Sequence, residues 1–293
     1  MQLRCATLTV ENAEAAAARY RDFMNYRLVE AGEVSRDLAA SWGAPDAAGR
    51  RMAVMQPESG APVFLRMVEG RRRDDYRPLR THGWAAIELC VRDVLSVHER
   101  MKKSPFEVIG PPRPLSGLPT IYPMQVKGPD DEIVYLTEIR GDLPEYDLPR
   151  AASLIDRLFI CVLACSNMQK SAEWFQKEVG LAPGRVMEIE YAMLAASFGT
   201  PPERRYAIST MTHGRDVVLE LDQYPEMATG RAYNEGELPP GVAIVSLLTS
   251  DFDRFQGWLG DPIRAGGSVY GGARSGVLRA PDGALVEIVE AAR

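Results

Sequence analysis

The sequence is poor in cysteine and histidine and has no long apolar segment. Each of these features excludes a class of protein or a kind of site. Its 293 residues include four cysteines, which form neither a C-x-x-C pair nor a regular framework. We therefore expect free, mostly buried thiols. No segment is long and apolar enough to cross a membrane, and the N-terminal segment lacks the apolar core of a signal peptide. These features predict a cytoplasmic protein without a membrane partner.

The chain also has no excess of basic residues over acidic residues. Lysine and arginine together number 34 against 40 aspartates and glutamates, which gives a net charge of −6. Because an acidic chain is poorly matched to a phosphate backbone, no nucleic-acid partner is expected. The chain length and the hydrophobic share of 46% are sufficient for two domains of roughly 150 residues, each with its own core.

Four similar units follow one another along the chain. Residues 128–138 and 280–290 both begin with a Pro-Asp turn and continue as an apolar strand. Asn12 and Asn167 each precede a helical apolar pattern and are predicted N-caps, because their side chains can accept a free backbone N–H. Each unit has the pattern of a strand, a helix and further strands. The predicted units are 1–70, 82–140, 154–224 and 240–291.

The repeated βαβββ unit, with its Asx-initiated helix and its closing turn and strand, resembles the vicinal oxygen chelate superfamily. This superfamily includes glyoxalases, bleomycin-resistance proteins and extradiol dioxygenases. The resemblance implies an α+β fold of four βαβββ modules in two tandem halves, paired into curved mixed sheets that enclose a cavity. It also implies a divalent metal that binds vicinal substrate oxygens and stabilises an enolate or activates dioxygen. The implied halves are 1–140 and 154–293, and the second is expected to carry the function.

The superfamily places a histidine upstream of the Asx and a glutamate on the closing strand of a module. The four histidine positions hold Cys5, Ala86, Ile160 and Ile244. The four closing-strand positions hold Arg66, Tyr135, Glu220 and Glu287. Since none of the first set is histidine, a conventional iron centre is not expected. An atypical site for iron, manganese, zinc or nickel would have to use Cys5, Glu220 or Glu287.

Three glutamates interrupt apolar strands and are the main candidates for chemistry. They are Glu88, Glu220 and Glu287. A carboxylate buried without a partner costs several kcal/mol or takes up a proton. Two interpretations remain open: the glutamates pair with an arginine such as Arg66 or line a wet cavity, or one or more acts as a general base next to a substrate carbonyl.

Catalytic roles are assigned to Glu220 and Glu287 on this second interpretation. The predicted substrate-binding residues are Tyr135, Tyr191, Glu88 and Arg66. Tyr135 is of interest because it would place a hydroxyl group where the superfamily has a metal ligand. Such a hydroxyl could form a hydrogen bond with a phenol or carbonyl oxygen of a ligand.

Three functions are compatible with these residues. The first is an enzyme that acts on a small oxygenated metabolite, aromatic or aliphatic, by carboxylate acid–base chemistry, with an atypical metal or none. The second is a metal-free binding protein of the bleomycin-resistance type. The third is an extradiol-type ring-cleavage dioxygenase whose ligands lie in a different register. The expected partner is a small-molecule ligand or substrate, and open sheet edges are compatible with a homodimer.

Overall fold

The protein is described by a computed structural model that covers residues 1–291. The first module contains β1 (Gln2–Val10), α1 (Ala13–Met24), β2 (Tyr26–Glu33), α2 (Arg36–Ser41), β3 (Arg51–Pro57) and β4 (Phe64–Glu69). The second contains β5 (Gly83–Val91), α3 (Val94–Met101), β6 (Glu107–Gly110), β7 (Ile121–Lys127) and β8 (Ile133–Ile139).

The two later modules repeat this order with additions. The third contains β9 (Ile155–Cys165), α4 (Met168–Trp174) with a π-helical extension (Phe175–Val179), β10 (Ala182–Pro183), β11 (Met187–Glu190), α5 (Ala192–Phe198), β12 (Arg205–His213) and β13 (Asp216–Gln223). The fourth contains β14 (Gly241–Thr249), β15 (Ile263–Arg264), α6 (Gly267–Tyr270), β16 (Arg274–Arg279) and β17 (Leu285–Glu290). No helix within residues 1–291 is long and apolar enough to span a membrane.

Helix starts follow the capping residues of the sequence. The Asn12 side chain accepts the backbone N–H of Ala15 at 2.8 Å, and the Asn167 side chain accepts that of Lys170 at 2.9 Å. Both predicted N-caps are therefore confirmed, because the side-chain oxygen satisfies an N–H that has no partner inside the helix.

The fourth module lacks the helix predicted after its first strand. Only a 3₁₀ turn, Phe252–Arg254, forms there. Gly257 adopts a φ of +75°, which a right-handed helix does not contain, and Pro262 would remove a helical hydrogen bond. The apolar residues of this segment, including Phe255, pack on the core without helical backbone.

Each sheet combines one module from the first half of the chain with one module from the second half. The order of the first sheet is β15-β16-β17-β14-β1-β4-β3-β2, so modules one and four form it. The order of the second is β10-β12-β13-β9-β5-β8-β7-β6, with β11 on β12, so modules two and three form it. The tandem halves 1–140 and 154–293 are therefore not the units that pair, because β1 hydrogen-bonds to β14 and β5 to β9.

The main core lies between the two sheets. Leu8, Ile87 and Leu247 come from three different modules, are 0% exposed and belong to one cluster. The Trp84 indole N–H donates to the backbone oxygen of Leu285 at 2.8 Å and ties the second sheet to the first. Because the sheets pack through these faces, their concave faces point away from each other, and each can enclose a site of its own.

Three helices that the sequence patterns did not predict cover the concave faces. Helix α6 brings Val269 and Tyr270 onto the first sheet. Helix α2 brings Leu38 and, just after its end, Trp42 onto the first sheet. Helix α5 brings Met193 and Phe198 onto the second. Each concave face therefore has an apolar cluster separate from the main core.

Candidate functional site

The closing strands place four equivalent side chains on the concave faces. Each residue pairs with the opening strand of its own module, two positions after the expected histidine site. The four pairs are Arg66 with Thr7, Tyr135 with Glu88, Glu220 with Val162, and Glu287 with Ser246. The register between the closing and opening strands is thus the same in all four modules.

On the first sheet, a buried ion pair occupies this position. Arg66 Nη2 lies 3.2 Å from Glu287 Oε2, and the two side chains are 1% and 0% exposed. The Glu287 carboxylate also accepts hydrogen bonds from Trp42 Nε1 at 2.9 Å, from the Tyr270 hydroxyl at 2.7 Å and from the Ser246 hydroxyl at 2.5 Å. Four donors therefore satisfy this carboxylate.

The aromatic rings around Arg66 close the first site. The guanidinium lies 4.4 Å from the ring centre of Trp42 and 5.5 Å from that of Tyr270, within cation–π range. Burial raises the pKa of the neighbouring Cys5 thiol to about 12, so the thiolate that binds metals is disfavoured. Of the two interpretations of Glu287, the geometry is that of the arginine-paired carboxylate.

On the second sheet, the equivalent face encloses a cavity of about 550 Å³. Its walls are mainly apolar, with Ile109, Ile139 and Phe159 among them. Helix α5 and the segments 109–118 and 143–148 border it. Its buried polar side chains include Glu88, Tyr135, Thr137, Tyr191 and Ser209, and the half-buried Glu220 also lines it. Such a cavity has the size and lining of a small-molecule site.

The polar groups of the cavity form a connected set. The Thr137 hydroxyl donates to Glu88 Oε1 at 2.5 Å. The Tyr191 hydroxyl donates to the Tyr135 hydroxyl at 2.6 Å and lies 3.5 Å from Glu220 Oε1. This arrangement leaves the hydroxyl proton of Tyr135 available to a ligand. Glu220 is half-buried, with its carboxylate at the cavity surface.

Burial and crowding raise the pKa values of these carboxyl groups. Desolvation, with a further contribution from Glu220, raises the pKa of Glu88 to about 8, although the Thr137 hydrogen bond opposes the shift. Desolvation and the adjacent Asp222 carboxylate raise the pKa of Glu220 well above its usual range. Burial raises the pKa of Asp222 in turn. Two carboxyl groups in contact share a proton because both cannot easily ionise.

Asp222 is a site residue that the sequence reasoning missed. It is 1% exposed, and its Oδ1 atom has no hydrogen-bond partner within residues 1–291. The available signal was parity: Glu220 and Asp222 are two positions apart on β13 and therefore point to the same face.

Comparison with solved structures identifies the architecture. No protein-family profile matches the sequence, and no curated protein matches it. Glyoxalase I from Zea mays superposes with a TM-score of 0.66 at 17% identity, covering 99% of this chain and 92% of that chain. A proposed dioxygenase from Bacillus subtilis superposes with a TM-score of 0.64 at 13% identity, covering 99% of this chain and 85% of that chain. This is the vicinal oxygen chelate fold.

The predicted α+β architecture of four modules and curved mixed sheets is thereby confirmed. Within the vicinal oxygen chelate fold, the structure divides the predicted site residues into two groups. Glu220, Tyr135, Glu88 and Tyr191 come together in the cavity of the second sheet. Cys5, Arg66 and Glu287 lie on the concave face of the first sheet. The cavity takes residues from both halves of the chain, so 154–293 alone does not contain it.

The residues present do not fit the divalent metal that this fold implies. On the first sheet, the Arg66 guanidinium already supplies the positive charge next to Glu287. On the second, the equivalent positions offer one carboxylate, Glu220, and the neutral phenol of Tyr135. Within residues 1–291, no group of three or more His, Cys, Asp or Glu side chains is arranged to hold a metal ion.

Proposed function

We propose that the chain is an enzyme that transfers a proton on a small, largely apolar, oxygenated molecule bound in the cavity of the second sheet. The observation that carries the proposal is the Glu220 carboxylate, which reaches an apolar cavity beside two phenols and has no basic partner within residues 1–291. The proposed chemistry uses the chain's own carboxyl groups and phenols and does not require a bound metal.

Glu220 is the proposed general base. A base is most effective when its pKa lies near the working pH, and burial together with Asp222 shifts the Glu220 pKa in that direction. The proton would leave a carbon next to a substrate carbonyl and move to Glu220, and the electron pair of the C–H bond would pass to the carbonyl oxygen. The resulting negative oxygen needs a hydrogen-bond donor at short range.

Tyr135 is the proposed donor to that oxygen. Its hydroxyl accepts from Tyr191, which polarises it and leaves its own proton free. The apolar walls would orient a ring or a hydrocarbon body and exclude water. Glu88, hydrogen-bonded to Thr137, would stay protonated at neutral pH and could return a proton to the product.

Deuterium exchange tests the proposal without knowledge of the final product. Aromatic and aliphatic ketones are incubated with the protein in D₂O, and deuterium at the carbon next to the carbonyl is measured by NMR. Glu220→Gln is expected to lower the exchange rate by about 10²–10⁴-fold. Glu190→Gln is the matched control, because Glu190 is an exposed carboxylate at the rim of the same cavity.

A metal-free binding protein is the second candidate function. The large apolar share of the cavity lining favours it, because affinity alone needs no base. A ketone that raises Tm but exchanges no deuterium would support this alternative and exclude Glu220 as a base. Exchange that is unchanged in Glu220→Gln would remove Glu220 from the mechanism.

A further inference from the structure

The two concave faces differ in how they supply positive charge. On the first sheet, Glu287 of module four faces a guanidinium contributed by Arg66 of module one. On the second sheet, Glu220 occupies the position equivalent to Glu287, but Tyr135 occupies the position equivalent to Arg66. The second face therefore has the carboxylate without the cation, and has an open cavity instead of a filled one.

More carboxyl groups lie together on the second concave face than on the first. Glu88 and Asp222 accompany Glu220, and each of the three carboxyl groups influences the protonation of another. No lysine, arginine or histidine forms an ion pair with any of them within residues 1–291, and the basic residue of the cavity lining, Arg113, is exposed. Buried carboxyl groups without a cation are rare, because the charge is poorly solvated there.

A second observation indicates an absent partner. The Asp222 side chain is 1% exposed, and its Oδ1 has no hydrogen-bond donor within residues 1–291. Asp222 lies on the same strand face as Glu220, and its charge acts on both cavity phenols, Tyr135 and Tyr191. Asp222 does not line the cavity itself; it lies behind Glu220, to which it is hydrogen-bonded. A buried acceptor without a donor at this position adds negative character to the Glu220 carboxyl group at the cavity surface.

We propose that the molecule bound in this cavity carries a cationic nitrogen, which contacts the carboxyl group of Glu220, with Asp222 behind it, as the Arg66 guanidinium contacts Glu287. The inference deepens the proposed function, on which it rests for the cavity being a ligand site. Tyr135 and Tyr191 supply aromatic rings near the nitrogen, in the role that Trp42 has toward Arg66.

The apolar walls define the rest of the ligand. Most of the cavity surface away from the carboxyl groups is formed by aliphatic and aromatic side chains, such as Ile121, Ile189 and Ile208. A volume of about 550 Å³ accommodates a drug-sized molecule. The ligand class is therefore an amphipathic amine, with an ammonium or amidinium group at one end and an apolar body at the other.

A matched series of three compounds tests this inference. The compounds are 4-phenylbutylamine, 4-phenylbutan-1-ol and 4-phenylbutyrate, which share an apolar body and differ in charge. Titration calorimetry at pH 7.5 measures each dissociation constant. Because a charge-assisted hydrogen bond contributes more than a neutral one, the amine is expected to bind about 10–100-fold more tightly than the alcohol. The carboxylate is expected to bind most weakly.

Two variants assign the preference to the carboxyl groups. Glu220→Gln and Asp222→Asn should each reduce the affinity for the amine by about tenfold or more, and should leave the affinity for the alcohol nearly unchanged. Glu190→Gln, at the exposed rim, should change neither. Thermal unfolding of every variant confirms that it is folded, and the two separate variants keep the test informative if one of them fails to fold.

The outcomes separate the two proposals. Equal binding of the amine and the alcohol would overturn the cationic ligand and leave the proposed proton transfer on neutral ketones intact. A preference for the amine that persists in both variants would also overturn it. Binding of the amine series without deuterium exchange on any ketone would support the cationic ligand and contradict the proposed enzyme. Failure of all three compounds to bind would overturn the cationic ligand, and deuterium exchange on the ketones would still decide the proposed enzyme.

Discussion

Replacing Glu287 by glutamine is expected to weaken the fold strongly, whereas the same change at the equivalent Glu220 is not. Loss of one partner leaves the Arg66 guanidinium buried without a counter-charge, and removing one member of a buried pair costs about 3–5 kcal/mol. Unfolding free energies are typically about 5–15 kcal/mol, so this loss is a large share of the total. At about 2–4 °C per kcal/mol, Tm should fall by about 6–20 °C.

In contrast to Glu287→Gln, the Glu220→Gln variant is expected to change the stability little. Its carboxyl group has no cation to leave unpaired within residues 1–291, and it is held next to the carboxyl group of Asp222. A neutral amide removes a desolvation cost and a like-charge contact, so the stability should stay within about 1 kcal/mol of the parent or rise.

Urea unfolding of both variants measures the contrast. Glu290→Gln is the control for a surface pair, because Glu290 lies on the same strand as Glu287 and contacts the partly exposed Arg274. It should change the stability little, because an exposed ion pair is screened by solvent. The double variant Arg66→Met with Glu287→Leu should recover only part of the loss, because it removes the unpaired charge but leaves the Trp42, Tyr270 and Ser246 donors without their acceptor. Equal stability of Glu287→Gln and Glu220→Gln would refute the reasoning.

Three further outcomes are expected. The folded chain keeps a proton on Glu88, whose pKa is raised to about 8, while the unfolded chain loses it near pH 4.5. Stability should therefore fall as pH rises through this window, and urea unfolding at pH 5 and 8.5 should show a smaller fall in Glu88→Gln. Arg231 donates to the backbone oxygens of Trp84 and Val242, so Arg231→Met should lower Tm, and Arg231→Lys should rescue it only partly. Ala196→Trp at the cavity rim should abolish binding of 4-phenylbutylamine in calorimetry without lowering Tm.

The modules could be predicted from the sequence because their signals are local. The Asn12 and Asn167 caps and the Pro-Asp turns each lie within a few residues of the element that they start. The resemblance to the superfamily placed Tyr135 and Glu220 at equivalent closing-strand positions, and the structure puts both in one cavity.

The pairing of the modules and the contents of the faces depend on contacts between distant residues. Nothing local in β1 indicates that it pairs with β14 rather than with a strand of its own half. The first face is filled because Trp42 and Tyr270 arrive from two short inserted helices, and the strand pattern does not contain them. For the same reason, the alternation of side chains along a strand could not show that Glu287 is enclosed whereas Glu220 is open to a cavity.

The nested pairing of the modules has a consequence for the order of synthesis. Modules two and three are consecutive, so the sheet that bears the cavity is complete once the ribosome has made β13. Module one is finished at Glu69, but its partner strands end at Glu290. At about 5–20 residues per second, that delay is roughly 10–45 s. For most of this interval, until β14 (Gly241–Thr249) has been made, the β1 edge is uncovered, which is a condition that promotes aggregation. A need for chaperones is therefore expected at the amino-terminal module rather than at the ligand-binding sheet.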